Sequence, residues 1–168
     1  AAQLAGKLYC LAEMEEKQQE DANKTGLLFA YTNQGILYYL FDQIPQAAIA
    51  IQKGREVWAA GTAMYIQGLF CFYESLIYLA TISQDKLLSS KKQWHQVKKN
   101  QKQMQKWASH APMNFQHKWD LVVAEQQRVL DNKLKAITYY ERAISGAKVN
   151  GYVNEEALAN ELAAKFYL

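Results

Sequence analysis

Apolar residues recur at spacings of three and four along nearly the whole chain, and no sustained alternation of apolar and polar positions interrupts them. This period is typical of α-helices with one buried face. Glycine and proline are scarce, with 8 and 2 residues, and they fall mainly where apolar runs end. The pattern therefore predicts an all-α chain of about eight helices. The expected segments are approximately residues 2–19, 27–41, 45–57, 58–82, 86–109, 115–130, 133–149 and 155–168.

The connections between these segments are only a few residues long. Short connections place consecutive helices antiparallel, so the pattern predicts an antiparallel helical-hairpin array. Pro45 suits the first turn of the third helix, where its missing N–H is not needed. Asn150 and Gly151 are expected to end the seventh helix, and Asn154 is expected to cap the last one. We expect residues 1–168 to form a single domain that is an internal piece of a longer protein.

The composition favours a folded intracellular protein. Of the 168 residues, 50% are hydrophobic and 21% are charged, which lies outside the range of disordered chains. Cys10 and Cys71 lie among apolar residues and are expected in the core, as in a reduced, cytoplasmic protein. The most apolar window, residues 64–82, is interrupted by Gln67 and Glu74. We therefore expect no membrane-spanning segment.

Small residues recur at matching intervals in two of the predicted hairpins. Gly35 is followed twelve residues later by Ala47, and Ala124 is followed by Ala136 at the same interval. A further small residue stands nineteen positions after the first one in both hairpins, at Gly54 and Ala143. Small side chains let two helices approach closely, so we expect these positions at inter-helix crossings.

This spacing of small residues, with aromatic residues between them, resembles tetratricopeptide repeats. The resemblance covers residues 29–56, 118–148 and 157–168. It implies a tetratricopeptide-like stack of hairpins whose concave face binds a peptide or a partner protein. The residues that the resemblance places on this concave face are Thr32, Tyr39, Lys118, Glu125, Arg128, Asn160 and Tyr167.

Longer strings resemble the helical segment of large cyanobacterial signalling kinases. These strings are residues 35–41, 45–50, 111–118 and above all 150–168. In that family a serine/threonine kinase and an ATPase module precede the segment, and GAF and histidine-kinase or cyclase modules follow it. The resemblance implies a noncatalytic scaffold that couples ATPase and sensor domains, with domains of the same chain or a signalling partner as its partners. We also expect that the helical end at the C-terminus could self-associate.

Motifs for catalysis or metal binding are missing from the sequence. It contains no phosphate-binding loop, no His-Glu-x-x-His and no Cys-x-x-Cys. His95, His110 and His117 lack the neighbouring cysteines or ordered carboxylates of a metal site. We therefore expect no metal, no cofactor and no enzymatic activity in this module itself. The 11 tyrosines fit either core packing or an aromatic peptide-binding face.

Glu74 is the residue that fits its surroundings least well, because it lies within a long apolar run. A buried carboxylate needs a partner or a raised pKa. One interpretation is a functional acid in a pocket. The other is a carboxylate that is hydrogen-bonded to a neighbouring tyrosine or lysine, or that faces the concave surface.

Positive charge is concentrated in one predicted helix. Residues 86–106 contain seven lysines and no carboxylate, which leaves 12 basic and 16 acidic residues elsewhere. At about 100° per residue, six of these lysines share roughly a third of the helix circumference. Trp94, Val97, Met104 and Ala108 lie on a separate arc, which is expected to face the core. The six residues, called the lysine stripe below, are Lys91, Lys92, Lys98, Lys99, Lys102 and Lys106.

The lysine stripe fits several kinds of partner. It could bind phosphate backbones, anionic lipid or an acidic protein, or it could be a solvated face. None of the arginines, Arg55, Arg128 and Arg142, lies in the stripe, whereas the reading of bases favours arginine. A membrane-surface helix would present tryptophan or leucine to lipid, and here such residues are expected to pack. Binding of a nucleic acid or of an acidic partner through helix 86–106 is thus the alternative to interaction through the hairpins. Of these two ligands for the helix, nucleic acid is the less favoured.

Overall fold

The computed structural model describes residues 23–84 and 91–168, together with the backbone of Ala5–Gly6 and Tyr9–Cys10. In the two long described ranges the fold is all-α, which confirms the predicted fold class. The helices are α1 (Lys24–Leu40), α2 (Ile44–Glu56), a 3₁₀-helix (Trp58–Gly61), α3 (Ile66–Gln84), α4 (Lys91–His110), α5 (Pro112–Val129), α6 (Lys133–Val149) and α7 (Val153–Tyr167).

The helix predicted over residues 2–19 lies mostly outside the described residues. Its four described positions pair as two antiparallel strands, β1 (Ala5–Gly6) and β2 (Tyr9–Cys10), with Gly6 opposite Tyr9. The expectation of a helix is wrong at these positions, because an apolar spacing over so few residues fits a hairpin as well as a helix. Cys71 is buried as expected, and the side chain of Cys10 is outside the described residues.

The chain divides into two compact units, residues 1–81 and residues 82–168. The boundary falls in the last turn of α3. The single array over residues 1–168 that the sequence suggested therefore stays a prediction.

In the first unit, α1 and α2 meet at the small residues that the sequence singled out. A Cβ atom added to Gly35 would lie 2.8 Å from Ile51 Cγ1 and 3.7 Å from the Ala47 carbonyl oxygen. At Gly54 an added Cβ would lie 2.6 Å from Phe70 Cε2, so α2 also packs closely against α3. The crossing expected at Gly35 and Ala47 is confirmed.

The single helix expected over residues 58–82 is interrupted near its start. The 3₁₀-helix Trp58–Gly61 ends in a turn where Ala63 has a φ of 65°, and α3 begins only at Ile66. The backbone leaves the helical conformation at Thr62, whose ψ is 132°, and at Ala63. Gly61 packs closely against α1, because an added Cβ would lie 2.4 Å from Leu28 Cδ2.

In the second unit, α4 to α7 pack in chain order, each against the next. Ala124 and Ala136 are fully buried, and Ala143 is 1% exposed. An added Cβ on Gly146 of α6 would lie 3.2 Å from His117 Cβ of α5. The predicted bounds of α6 are confirmed at both ends, whereas α5 begins three residues earlier than expected, with Pro112 in its first turn.

Three of the turns between helices share one geometry. Each has a residue with positive φ just after the helix: 58° at Asp42, 57° at Asp131 and 75° at Gly151. The next residue then donates its backbone N–H to a carbonyl of the preceding helix, as in a Schellman motif. These hydrogen bonds are Gln43 to Tyr38 at 2.8 Å, Asn132 to Gln127 at 2.8 Å and Tyr152 to Ala147 at 2.9 Å.

The donor residue of each turn is also the N-cap of the following helix. One residue therefore ends one helix and starts the next. This sharing explains why the predicted cap of α7 is wrong. Tyr152 is the N-cap, and Asn154 lies inside the first turn of the helix.

Among the residues that the structure describes, one helix is long and apolar enough to cross a membrane by length and composition. The stretch is Ile66–Ser83 of α3, and 67% of it is buried inside the protein. A core helix of a folded protein has the same properties, so this is weak evidence for a membrane span.

Candidate functional site

The lysine stripe lies on the exposed face of α4. All six of its side chains are exposed, whereas Val97 and Met104 are fully buried and Ala108 is 5% exposed. The predicted division of this helix into a lysine face and a packing face is confirmed for these residues, whereas Trp94, which was expected to pack with them, is half-buried. Within the described residues, no ammonium group of the stripe forms an ion pair.

A groove of about 390 Å³ runs between α4 and α5, along one edge of the lysine stripe. On the α4 side it is lined by Lys98 and Lys102, which are exposed, and by the half-buried Trp94. On the α5 side its apolar lining is Trp119 and Val123, with Leu130 just beyond the end of the helix. We call this the α4/α5 groove. The rest of the lining is Gln101, Gln105, Gln126 and Gln127.

The other edge of the stripe lies away from this groove. Lys92, Lys99 and Lys106 follow one another at seven-residue intervals, which is about two helical turns, and none of them lines the groove. The stripe therefore has a groove edge, formed by Lys98 and Lys102 with Lys91 in line with them on the helix, and a far edge formed by Lys92, Lys99 and Lys106.

A buried polar cluster lies where α5 meets the start of α7. Lys118 Nζ is 3.1 Å from Glu155 Oε1, 3.0 Å from His117 Nε2 and 4.1 Å from the centre of the Tyr152 ring. Burial lowers the pKa of Lys118, and the neighbouring carboxylate of Glu155 opposes this effect. The ion pair therefore joins α5 to α7 by a charged contact inside the unit.

His117 is neutral at pH 7 in this cluster. It is 2% exposed, and its ring packs against Tyr152 with centroids 4.5 Å apart. Burial and then the charge of Lys118 lower the pKa of His117 to about 4, although Glu155 acts in the opposite direction. Its Nε2 thus accepts a hydrogen bond from the Lys118 ammonium group.

A second groove, of about 660 Å³, opens between α5 and α6. On its lining, Asp120 Oδ1 lies 3.1 Å from an Arg142 guanidinium nitrogen, and Gln116 donates to Asp120 Oδ2 at 3.2 Å. Burial raises the pKa of Asp120, while the hydrogen bond from Gln116 and the charge of Arg142 oppose the shift. Opposite charges thus meet within this groove, in contrast to the lysine stripe.

Glu125 forms another buried ion pair in the second unit. Arg128 donates to its Oε2 from Nε at 3.0 Å and from a terminal nitrogen at 2.8 Å, and the Tyr140 hydroxyl donates to its other oxygen. The Tyr140 side chain is fully buried on α6. This carboxylate therefore ties α5 to α6.

Glu74 has an arginine partner in the first unit. It is fully buried, and Arg55 of α2 donates to both of its carboxylate oxygens, from Nε at 2.9 Å. Burial raises the pKa of Tyr78 to about 12. The charge of Glu74 and a hydrogen bond with this carboxylate act in the same direction, whereas the charge of Arg55 opposes them. The interpretation as a carboxylate bonded to a neighbouring tyrosine is supported, and the arginine is an additional partner that the sequence did not indicate.

The residues predicted on a concave binding face differ widely in exposure. Thr32 is fully buried and Tyr39 is 9% exposed, and Lys118 and Glu125 are 7% and 2% exposed. The contacts of Lys118 and Glu125 described above belong to the packing of the second unit. In the first unit, Thr32 donates from Oγ1 to the Leu28 carbonyl oxygen at 2.6 Å, and the Tyr39 ring contacts the Tyr73 ring.

The three remaining residues of that prediction have more exposed surface. The Arg128 side chain is 27% exposed and pairs with Glu125, whereas Asn160 and Tyr167 are exposed on α7. Peptide binding by the seven predicted residues stays a prediction.

The histidines do not come together. His95 and His110 are exposed on α4, and His117 is buried on α5. No group of three or more histidine, cysteine, aspartate or glutamate side chains that could hold a metal lies in the described ranges.

Sequence reasoning missed the α4/α5 groove and the buried polar cluster. Trp119, Val123 and Leu130 are spaced by four and seven residues, so their common side of α5 could have been read from the helical period. That this side faces Lys98 and Lys102 depends on how α5 packs against α4, which no local pattern contains.

Comparison with known proteins gives no match: no family model, curated protein or solved structure matches this chain.

Proposed function

We propose that the chain is a noncatalytic protein-interaction module that binds an acidic partner segment on the lysine stripe. The observation that carries this proposal is the row of exposed ammonium groups on α4, without ion-pair partners in the described part of the chain. Like charges on one helix face repel each other. An acidic partner relieves that repulsion and is steered to the stripe by its charge.

The chemistry of the stripe favours an acidic protein over a nucleic acid or a membrane. No arginine belongs to the stripe, although arginine is the residue that most often contacts bases in specific complexes. A helix that lies on a membrane inserts its apolar face into lipid. On α4 that face is already used, because Val97 and Met104 are fully buried in the unit.

We further propose that the module couples ATPase and sensor domains within a signalling kinase. The support for this part is the resemblance of residues 150–168 and of the three shorter strings to the helical segment of such kinases. The test compares the kinase output of the full-length protein with and without this segment. Unchanged regulation would remove this part of the proposal.

Binding of a labelled glutamate-rich peptide tests the interaction itself. We expect the affinity to fall steeply between low and physiological salt, because Coulomb attraction at an exposed surface is screened. Replacing Lys91, Lys98 and Lys102 by glutamine should weaken binding by about tenfold, since each exposed charge pair contributes up to about 1 kcal/mol.

The matched control replaces three exposed lysines of α6 by glutamine, namely Lys133, Lys135 and Lys148. This change lowers the net charge by the same amount and should leave peptide binding nearly unchanged. Equal losses in both triple variants would contradict a site on α4. Tighter binding of a single-stranded oligonucleotide than of the peptide would instead favour a nucleic-acid partner.

A further inference from the structure

The α4/α5 groove combines two kinds of surface along its length. One wall presents Lys98 and Lys102, and the other presents Trp119, Val123 and Leu130. Leu130 is 54% exposed, so it offers apolar surface that a ligand can cover. A ligand that matches this groove has negative charges on one side and apolar groups on the other.

The spacing of the two lysines fits an extended peptide. Lys98 and Lys102 are four residues apart on one helix, a rise of about 6 Å along the axis. In an extended peptide, alternate side chains lie on the same side, about 6.6–7 Å apart, and the intervening ones point to the opposite side. Carboxylates at alternate positions would therefore face the two lysines while the intervening side chains face α5.

We propose that the α4/α5 groove binds an extended peptide segment in which acidic residues alternate with large aliphatic residues. The acidic side chains pair with Lys98 and Lys102, and the aliphatic side chains lie against Trp119, Val123 and Leu130. This proposal rests on the proposed function, because it assigns the acidic partner to one edge of the lysine stripe and adds an apolar requirement to it.

Aliphatic side chains suit the α5 wall better than nucleic-acid bases do. Val123 and Leu130 are aliphatic, and the Trp119 ring already makes an edge-to-face contact with Tyr139, with centroids 6.0 Å apart. Single-stranded nucleic acids are bound mainly by stacking of bases on aromatic faces. Although Trp94 lines the α4 side of the groove, the two aliphatic side chains of the α5 wall, Val123 and Leu130, favour an acidic and aliphatic peptide.

The more accessible glutamines of the groove suit a peptide main chain. Gln101 is only 8% exposed and donates to the Trp119 carbonyl oxygen at 3.2 Å, so it joins α4 to α5. Gln105 is exposed on the same wall, and Gln126 is half-buried opposite. Side-chain amides both donate and accept, as the main-chain N–H and C=O groups of a peptide require.

The test measures the affinity of two labelled peptides for the whole chain. One peptide alternates glutamate with leucine, and the other alternates glutamate with serine, so that both have the same charge and length. We expect the leucine peptide to bind at least tenfold more tightly, because the removal of leucine side chains from water adds to the affinity. Equal affinities would overturn the proposal.

A pair of exposed leucines supplies matched variants for the apolar wall. Leu130→Ala should weaken binding of the leucine peptide by about threefold to tenfold and leave the serine peptide unchanged. Leu134→Ala is the control, because Leu134 is 83% exposed on α6 and does not line the groove. Identical effects of both variants, or an equal effect on both peptides, would contradict an apolar contact in this groove.

Variants at the two edges of the stripe distinguish peptide binding in the α4/α5 groove from the more general proposal that an acidic partner binds the lysine stripe. The double variant Lys98→Glu and Lys102→Glu should weaken both peptides by more than tenfold, whereas Lys99→Glu with Lys106→Glu should weaken them much less. Equal losses from both double variants, with salt-dependent binding retained, would overturn the groove but keep an acidic partner on the stripe. No binding of either peptide at low salt would overturn both.

Discussion

At the scale of single residues, the buried charges of this protein connect helices that are separate in sequence. Glu74 meets Arg55 of another helix, Lys118 meets Glu155, and Glu125 meets a tyrosine hydroxyl of α6. Breaking such a pair leaves a buried charge without compensation, which is strongly destabilising. These residues therefore fix which helices pack together, and they are less suited to bind a ligand.

The neutral state of His117 predicts a stability that depends on pH. In the fold its pKa is about 4, whereas an unfolded histidine titrates near about 6.5. Between these values the unfolded chain binds more protons, so stability should fall as the pH decreases from about 6.5 to about 4. The loss from this group should be on the order of 2 kcal/mol, measured by urea unfolding at several pH values.

Two variants isolate the contribution of His117 to this pH dependence. His117→Phe keeps a ring against Tyr152 and should flatten the curve between about pH 5 and pH 6.5. His110→Gln changes an exposed histidine and should leave the slope intact. A steep slope that persists in His117→Phe would show that another group titrates in this range.

At the scale of elements, the shared turn is the feature that repeats most clearly. Asp42 and Asp131 occupy in two turns the left-handed backbone position that Gly151 occupies in the third. Side chains with a Cβ atom resist this conformation, whereas glycine adopts it without cost. The two aspartate turns are therefore under backbone strain that the glycine turn lacks.

Exchange of these residues should change stability in opposite directions. Asp131→Gly should stabilise the protein by about 0.5–1 kcal/mol, because it relieves the strain at a positive φ. Gly151→Ala should destabilise it by about 1 kcal/mol, and this cost is purely conformational because an added Cβ would meet no atom within 4 Å. Thermal and urea unfolding measure both changes. A destabilised Asp131→Gly would mean that the carboxylate stabilises the turn by more than the strain costs.

The helices themselves could largely be predicted from the sequence, and their connections could not. The period of apolar residues placed α6 at its observed bounds and divided α4 into the correct two faces. It failed near Gly61, where non-helical backbone at Thr62 and Ala63 interrupts the helix, and at Asn154, where the backbone geometry of the preceding turn sets the cap. Periodicity describes the environment of one helix only, so the partner of Glu74 and the groove beside Lys98 were outside its reach.

At the scale of the whole molecule, positive charge is concentrated in one helix, and the chain folds as two units. The net charge of +3 arises from one helix, since the remaining residues carry more acidic than basic groups. The chain divides into two compact units, residues 1–81 and residues 82–168. Local perturbations should therefore remain largely within the unit in which they are made.

Amide hydrogen exchange tests this independence with a symmetrical pair of variants. Glu74→Gln leaves Arg55 without its anion and should destabilise the first unit by about 3 kcal/mol, so amides in α1 and α2 should exchange faster. Exchange in α6 and α7 should stay unchanged. Glu125→Gln should give the reverse result, with faster exchange in α6 and α7 and unchanged exchange in α1 and α2. Faster exchange throughout the chain in either variant would show that the two units unfold as one.

The turns that join α1 to α2, α5 to α6 and α6 to α7 leave no spare residue between consecutive helices. One residue inserted after Asn132 would rotate everything that follows by about 100° around the helix axis. The buried alanines of α6 would then turn away from the neighbouring helices towards solvent, and charged side chains would take their place. Chain length at these junctions is consequently under tighter control than residue identity, and natural variation should appear there as substitution, not as insertion or deletion.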